Sequence, residues 1–188
     1  MNRKSKLTTQ KITRLALLTA AAVVLGYMEG LIAPLVALPP GIKLGLGNTA
    51  VLSSIYTLGP GYSVILLVLK VLLTSLMSGN LSTAIYSTAG GVLSLVMMLL
   101  VKNLSRGKVS IVGVSVVGAA FHNIGQISVF VLMTGTAGLF YYACILTISA
   151  VITGTLTGLA GKQIIRVLKI PGAEPGKSGT KAPPKEGS

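Results

Sequence analysis

Residues 12–33 read ITRLALLTAAAVVLGYMEGLIA, and this apolar run decides the fold class. A helix of this length, at about 1.5 Å per residue, crosses a hydrocarbon core of about 30 Å. Backbone groups in lipid must pair with one another, so the run is a helix unless strands close into a barrel, and the alternation that a barrel requires is absent. Basic residues before the run resemble the start of a signal peptide, but its length and the apolar runs that follow predict a retained first span.

The composition also predicts an integral membrane protein. The chain is 52% hydrophobic and 10% charged, whereas soluble domains carry roughly 25% charged residues. Its formal net charge of +13 could indicate nucleic-acid binding, but the 16 Lys and Arg residues lie mostly at the two ends and in one loop. Cytoplasmic segments between membrane spans collect basic residues in this way. We therefore expect the lipid bilayer as a partner, and no nucleic acid.

Five further segments predict an all-α bundle of about six transmembrane helices. They cover residues 43–58, 62–77, 83–101, 109–133 and 139–161. The segment from Lys43 to Leu58 is the weakest, because it is short for a span. It is either a tilted helix or one that begins irregularly within residues 42–48, which membranes tolerate only where protein or a cavity surrounds the backbone.

Basic residues also predict the orientation. With six spans, the N-terminus, the loop at residues 102–108 and the C-terminal segment share one side and leave Lys43 alone on the other. The positive-inside rule then places both ends in the cytoplasm of a multi-pass protein of the cell membrane. We expect a basic N-terminus at residues 1–11, a transmembrane domain at 12–170 and a disordered tail at 171–188, where Pro, Gly, Lys and Ser dominate.

Polar side chains within the spans are candidate binding residues, because burying them in lipid is costly. Counting residues along each helix places them toward the outer half of the membrane, which predicts a substrate pocket open to the outside. The candidate substrate-binding residues are Glu29, Lys43, Asn48, Asn80, Tyr86, His122, Asn123 and Gln126.

Each candidate also has a structural alternative. Gln126 is spaced i,i+4 from His122 and i,i+3 from Asn123, so the three side chains can lie on one face of a helix. They either face one cavity or join helices through hydrogen bonds. Glu29 and Lys43 either bind ligand or form an ion pair at the outer rim. Lys70, near mid-membrane, offers charge to an anionic ligand or extends toward an interface. Tyr86 stacks on a flat ligand or packs between helices.

The acidic residues argue against catalysis. The sequence has no aspartate, and two of its three glutamates, Glu174 and Glu186, lie in the tail. A prenyl diphosphate synthase binds Mg²⁺ and diphosphate through clustered carboxylates, the ligands that this ion prefers. The single cysteine, Cys144, forms no cluster with metal-ligand spacing. We therefore predict no enzyme activity, no metal site and no intrinsic cofactor.

Three motifs resemble one family across roughly residues 12–169. They are PGIKLGLGN at 40–48, YSTAGG at 86–91 and AFHNIGQ at 120–126. They closely resemble the Gx transporter family, which is also labelled heptaprenyl diphosphate synthase component I. Gly47 and Phe121 depart from this pattern, because the family favours small or aliphatic residues such as alanine there, and the departures alter helix geometry or pocket shape.

The resemblance implies a fold similar to the S components of energy-coupling factor transporters. Such proteins bind a vitamin or cofactor from outside and work with a transmembrane coupling subunit and an ATPase pair. A flavin is then the expected cargo, and Ala16 and Ala20 match the small-residue face that docks on the coupling subunit. The synthase label implies an alternative, a non-catalytic membrane component of polyprenyl diphosphate or quinone biosynthesis. A structural subunit of a membrane redox complex is a further alternative.

Overall fold

The computed structural model describes residues 3–32, 43–79, 81–135 and 140–168. These residues form six α-helices and no strand, which confirms the all-α prediction. Five of the helices are long and apolar enough to cross a membrane. The helices are α1 (Arg3–Ile32), α2 (Asn48–Thr57), α3 (Pro60–Ser78), α4 (Leu81–Leu104), α5 (Ile111–Thr134) and α6 (Phe140–Val167). The protein is therefore a multi-pass helical membrane protein.

Helix α2 is too short to cross a bilayer alone. It has 10 residues, or about 15 Å of helix, and its first eight residues are all buried. Residues 43–45 before it have no regular structure, and residues 46 and 47 form a turn. The weakest predicted span is thus an irregular segment followed by half a helix, which is the second of the two arrangements expected from the sequence. Surrounding protein buries Gly45 and Gly47 and half-buries the other residues of this segment, in keeping with the need to shield non-helical backbone in a membrane.

Contacts between helix ends define one end of the bundle. Lys11 Nζ lies 5.7 Å from the ring centroid of Tyr62, so α1 at Lys11 lies beside the start of α3. Lys102 Nζ donates a 2.7 Å hydrogen bond to the Ile55 carbonyl, so α4 ends beside the end of α2. These basic residues lie at one end of the bundle, as the predicted orientation requires.

The segment before α2 starts near the opposite end. The backbone N–H groups of Gly45 and Leu46 donate to Glu29, which lies about 27 Å beyond Lys11 along α1. The chain then returns through α2 to Thr57, beside the start of α3. Residues 43–57 therefore run from one end of the bundle back toward the other, in the direction expected of the weak predicted span.

Close packing between α5 and α6 depends on a Gly-x-x-x-Gly pair. A Cβ added at Gly154 would lie 2.6 Å from Val116 Cα, and one at Gly158 would lie 2.8 Å from Val112 Cα. Small residues at this spacing let helix backbones touch in membranes. Helix α5 also packs against α4, whereas among the described residues α1 packs on α2 and α3. The polar residues of α5 thus lie inside the bundle.

Candidate functional site

The irregular segment at residues 43–47 is held on one side by Glu29. Both carboxylate oxygens accept hydrogen bonds from consecutive backbone N–H groups, those of Gly45 and Leu46, the latter at 3.0 Å. Gly45 has a φ of +89°, a conformation that favours glycine and turns the two N–H groups toward the carboxylate. Glu29 is 2% exposed. The carboxylate therefore satisfies backbone donors that would otherwise be unpaired inside a membrane protein.

Helix α5 holds the same segment from the other side. Gln126 Oε1 accepts a 2.9 Å hydrogen bond from the Lys43 backbone N–H, which identifies its other amide atom as the donor. That atom, Nε2, lies 2.5 Å from His122 Nε2. His122 Nε2 must then be the acceptor, so the neutral imidazole carries its proton on Nδ1. The two residues are one helical turn apart, and both are buried.

Lys70 of α3 and Asn48 form the third part of the cluster. Lys70 Nζ donates a 2.6 Å hydrogen bond to Asn48 Oδ1 at the first residue of α2. Because an ammonium group only donates, this contact identifies the Asn48 oxygen, and Nδ2 points elsewhere. Both side chains are 8% exposed, and Asn48 Nδ2 has no hydrogen-bond partner among the described residues. The long Lys70 side chain thus turns inward and does not extend to an interface.

Glycines let these groups approach each other. A Cβ at Gly47 would lie 2.9 Å from both Ala22 O and Lys70 Cε. A Cβ at Gly90 of α4 would lie 2.7 Å from the His122 carbonyl oxygen. Contacts this short to backbone cannot be relieved by a side-chain rotation, so α1, α4 and α5 close around the segment only because these side chains are absent. Glycine at position 47 therefore permits the close approach to α1.

The structure brings together five of the predicted site residues in one cluster, which we call the segment cradle. They are Glu29, Lys43, Asn48, His122 and Gln126, and the cradle also includes Lys70. No ion pair joins Glu29 to Lys43 among the described residues, so the expected alternative of a rim ion pair is replaced by the backbone contacts of Glu29.

The other predicted residues lie apart from the cradle. Asn123 turns toward α6, where its Nδ2 donates a 2.8 Å hydrogen bond to the Leu146 carbonyl. The Tyr86 ring packs against the Phe130 ring with centroids 5.5 Å apart, in the packing arrangement expected as its alternative. Asn80 lies outside the described residues, as do the connector at 33–42 and the tail.

The two alanines predicted to dock a partner lie on the surface. Ala16 and Ala20 are both exposed on α1, on the side away from the bundle core. Buried Ala22 lies on the inner side of the same helix. The structure thus leaves the small-residue face of α1 open, while the docking role itself stays a prediction.

Sequence reasoning missed the role of the backbone in this site. It treated Glu29 as a ligand or ion-pair residue, whereas the carboxylate pairs with the N–H groups of Gly45 and Leu46. The available signal was the glycine pair at residues 45 and 47 in a segment of membrane depth, since glycine there indicates unusual backbone and close approach. The contribution of Gly90 was likewise missed. Among the described residues, no group of His, Cys, Asp and Glu could hold a metal ion.

The fold and the cradle define a class: a polytopic α-helical membrane protein with a discontinuous helix surrounded by buried polar side chains. Comparison with protein families is more specific. The family model described as heptaprenyl diphosphate synthase component I matches residues 18–164, and the chain belongs to this family. The match covers the five long helices in large part and the whole cradle. Neither the curated proteins nor the solved structures gave a match.

Proposed function

We propose that this chain is a non-catalytic membrane subunit of a heptaprenyl diphosphate synthase in the cell membrane. Family membership supports a place in that enzyme, because the family is described as its component I. The five long apolar helices support a membrane location. The term component implies at least one partner subunit, and we assign the chemistry to that partner.

The small number of carboxylates and the contacts of Glu29 support a non-catalytic role. Prenyl transfer from a diphosphate substrate uses Mg²⁺ held by several carboxylates. The chain has no aspartate, and Glu29 is the acidic residue of the described ranges. Both of its oxygens accept backbone N–H groups, so binding a metal ion would leave two buried donors unpaired. The metal-binding carboxylates must then come from another polypeptide.

Co-purification tests this proposal. The tagged chain is co-expressed with the soluble polyprenyl synthase of its own organism and purified in mild detergent, with an unrelated tagged six-span protein as the control. We expect the synthase to co-purify with this chain alone, and prenyl transfer to require the synthase carboxylates. A synthase that never co-purifies, and whose activity and product length do not change when this chain is added, would contradict the proposal.

A second candidate function is uptake of a small vitamin or cofactor, possible cargo being a flavin. The observation that favours it is the cradle itself, where the Asn48 amide donor inside the bundle has no partner among the residues that the structure describes. In this case the exposed face at Ala16 and Ala20 would dock a transmembrane coupling subunit with its ATPase pair.

Mass spectrometry of small molecules released from the purified protein tests uptake. A flavin or other defined cofactor, present in wild type and lost with Gln126→Leu, would favour the second candidate over the first. Ala16→Leu with Ala20→Leu would abolish coupling-subunit binding and keep the cofactor. Absence of any released molecule from protein purified out of cofactor-rich cells would count against uptake.

A further inference from the structure

We infer that the segment cradle holds a binding site for a phosphate group, formed by Lys70, Asn48 and the start of α2. This inference goes beyond the synthase proposal and does not depend on it, because the site would exist whether or not a synthase partner binds. Its basis is a set of hydrogen-bond donors inside the bundle that no described residue accepts.

Lys70 and Asn48 carry more hydrogen-bond donors than the described residues accept. Lys70 Nζ has three N–H donors, and one of them is given to Asn48 Oδ1 in the part of the chain described. Asn48 Nδ2 adds two donors and has no partner there. Within the described ranges, four donors on adjacent side chains therefore lack acceptors, although both residues are more than nine-tenths buried. Native structures rarely leave buried donors unpaired, so such a group requires an explanation.

The net formal charge of the cradle also favours an anion. Glu29 is formally negative, Lys43 and Lys70 are positive, and the hydrogen bond from Gln126 makes His122 neutral. These formal charges leave the cradle with one excess positive charge. Both Glu29 oxygens already accept hydrogen bonds from backbone N–H groups. This excess is shared with water in part, because Lys43 is only half-buried, whereas Glu29 and Lys70 are buried and of opposite charge. An anion bound at Lys70 would compensate it.

The N-terminal end of α2 lies at the same donors. The 10-residue helix begins at Asn48, so its positive end lies at the unused donors. The N–H groups of Asn48 and Thr49 turn back to the carbonyls of Gly45 and Leu46, so the helix contributes its dipole and not free donors. Asn48 Nδ2 faces the irregular segment, 3.1 Å from where a Gly45 Cβ would lie.

The number of donors favours phosphate over carboxylate. A carboxylate has two oxygens, whereas a phosphate offers three acceptor oxygens and more negative charge. Such a group could belong to a free phosphate or diphosphate compound or to the headgroup of an anionic lipid. The two sources share this chemistry, and separate arms of one experiment distinguish them.

Asn48→Asp is the decisive variant. The aspartate keeps an oxygen for Lys70 and converts the unused Nδ2 donor into an acceptor, which repels phosphate. We expect the variant to fold with unchanged or higher stability, because the new carboxylate pairs with Lys70. Gln163→Glu makes the same amide-to-acid change on the exposed surface of α6 and serves as the matched control. Lys70→Met is a second variant that removes the charge and leaves the Asn48 amide in place.

The first arm titrates inorganic phosphate and diphosphate into purified protein in neutral detergent, against sodium chloride at equal ionic strength, with calorimetry as the readout. The second arm reconstitutes the protein in nanodiscs of phosphatidylcholine with or without phosphatidylglycerol, and native mass spectrometry measures retained lipid. We expect saturable binding in at least one arm, weakened about tenfold or more by Asn48→Asp and Lys70→Met and unchanged by Gln163→Glu.

Each result decides the inference. Binding in the first arm identifies a soluble phosphate compound, and binding in the second alone identifies a lipid headgroup. Wild-type protein that binds neither probe would overturn the inference, as would either cradle variant binding with wild-type affinity. Failure of the synthase to co-purify would leave these results unaffected, so the two proposals fail separately.

Discussion

Replacing Glu29 with glutamine tests the central contact of the cradle. Glutamine keeps one oxygen for one of the two backbone N–H groups and directs an amide N–H at the other. The change removes one charge-assisted hydrogen bond, worth about 1.5–3 kcal/mol, weakens the second and leaves a buried donor unpaired. It also removes the negative charge near Lys70 and Lys43. We expect Glu29→Gln to lower the free energy of unfolding by about 3 kcal/mol.

Two measurements check this value. For a chain of this size, a loss of about 3 kcal/mol corresponds to a fall in Tm of roughly 6–12 °C, measured on detergent-solubilised protein. Hydrogen exchange followed by mass spectrometry on a peptide covering residues 43–48 should show faster exchange in the variant, because one of the Gly45 and Leu46 N–H groups loses its acceptor and the other is held more weakly. Gln163→Glu, an exposed change of opposite direction, should alter stability by less than about 0.5 kcal/mol.

The result that would refute this reasoning is specific. If Glu29→Gln unfolded at the wild-type temperature and the peptide at residues 43–48 exchanged at the wild-type rate, Glu29 would not hold the segment. A lower Tm with unchanged exchange at this peptide would also contradict the mechanism, because the loss of stability would then arise elsewhere in the protein.

Two further predictions concern packing and the basic end of the bundle. Gly154→Ala should destabilise the α5–α6 pair by about 2 kcal/mol, because its Cβ would lie 2.6 Å from Val116 Cα. Gly30→Ala, with open space around it, should be neutral or stabilising. Thermal unfolding of both variants compares them. Lys102→Met should cost about 1 kcal/mol, because it removes the 2.7 Å hydrogen bond to the Ile55 carbonyl at the end of α2, and denaturant unfolding measures this loss. Equal stability of the two glycine variants, or an unchanged midpoint for Lys102→Met, would contradict the respective contact.

The long helices were predictable because lipid imposes a simple requirement. A segment that crosses the bilayer must be apolar and about 20 residues long. Residues 12–33 meet both requirements. Helix ends are less predictable: the first span is expected to begin at residue 12, whereas α1 begins at Arg3. Hydropathy does not detect where a helix continues into polar sequence, since the backbone pairs with itself in either environment.

The cradle was predictable in its members but not in its contacts. The cost of polar groups in lipid identifies Glu29, Asn48 and Gln126 as special. Their partners include backbone groups of the segment at residues 43–47, and a sequence gives no direct sign of which N–H groups are free to donate to them. Asn123 illustrates the same limit, because its position near Gln126 in sequence predicts a shared cavity, whereas the helix directs it to α6.

The cradle also bears on which function the membrane domain performs. A subunit that only anchors a synthase needs apolar helices, and a continuous helix in place of residues 43–57 would pair its own backbone without Glu29 or Gln126. The chain instead retains an irregular segment and the buried Lys70, whose charge is costly to bury. Anchoring therefore does not explain the cradle, whereas a phosphate-bearing ligand at Lys70 does. A synthase partner and a bound phosphate compound are compatible, and a non-catalytic subunit that holds such a compound beside a catalytic one would account for both the family and the buried charge.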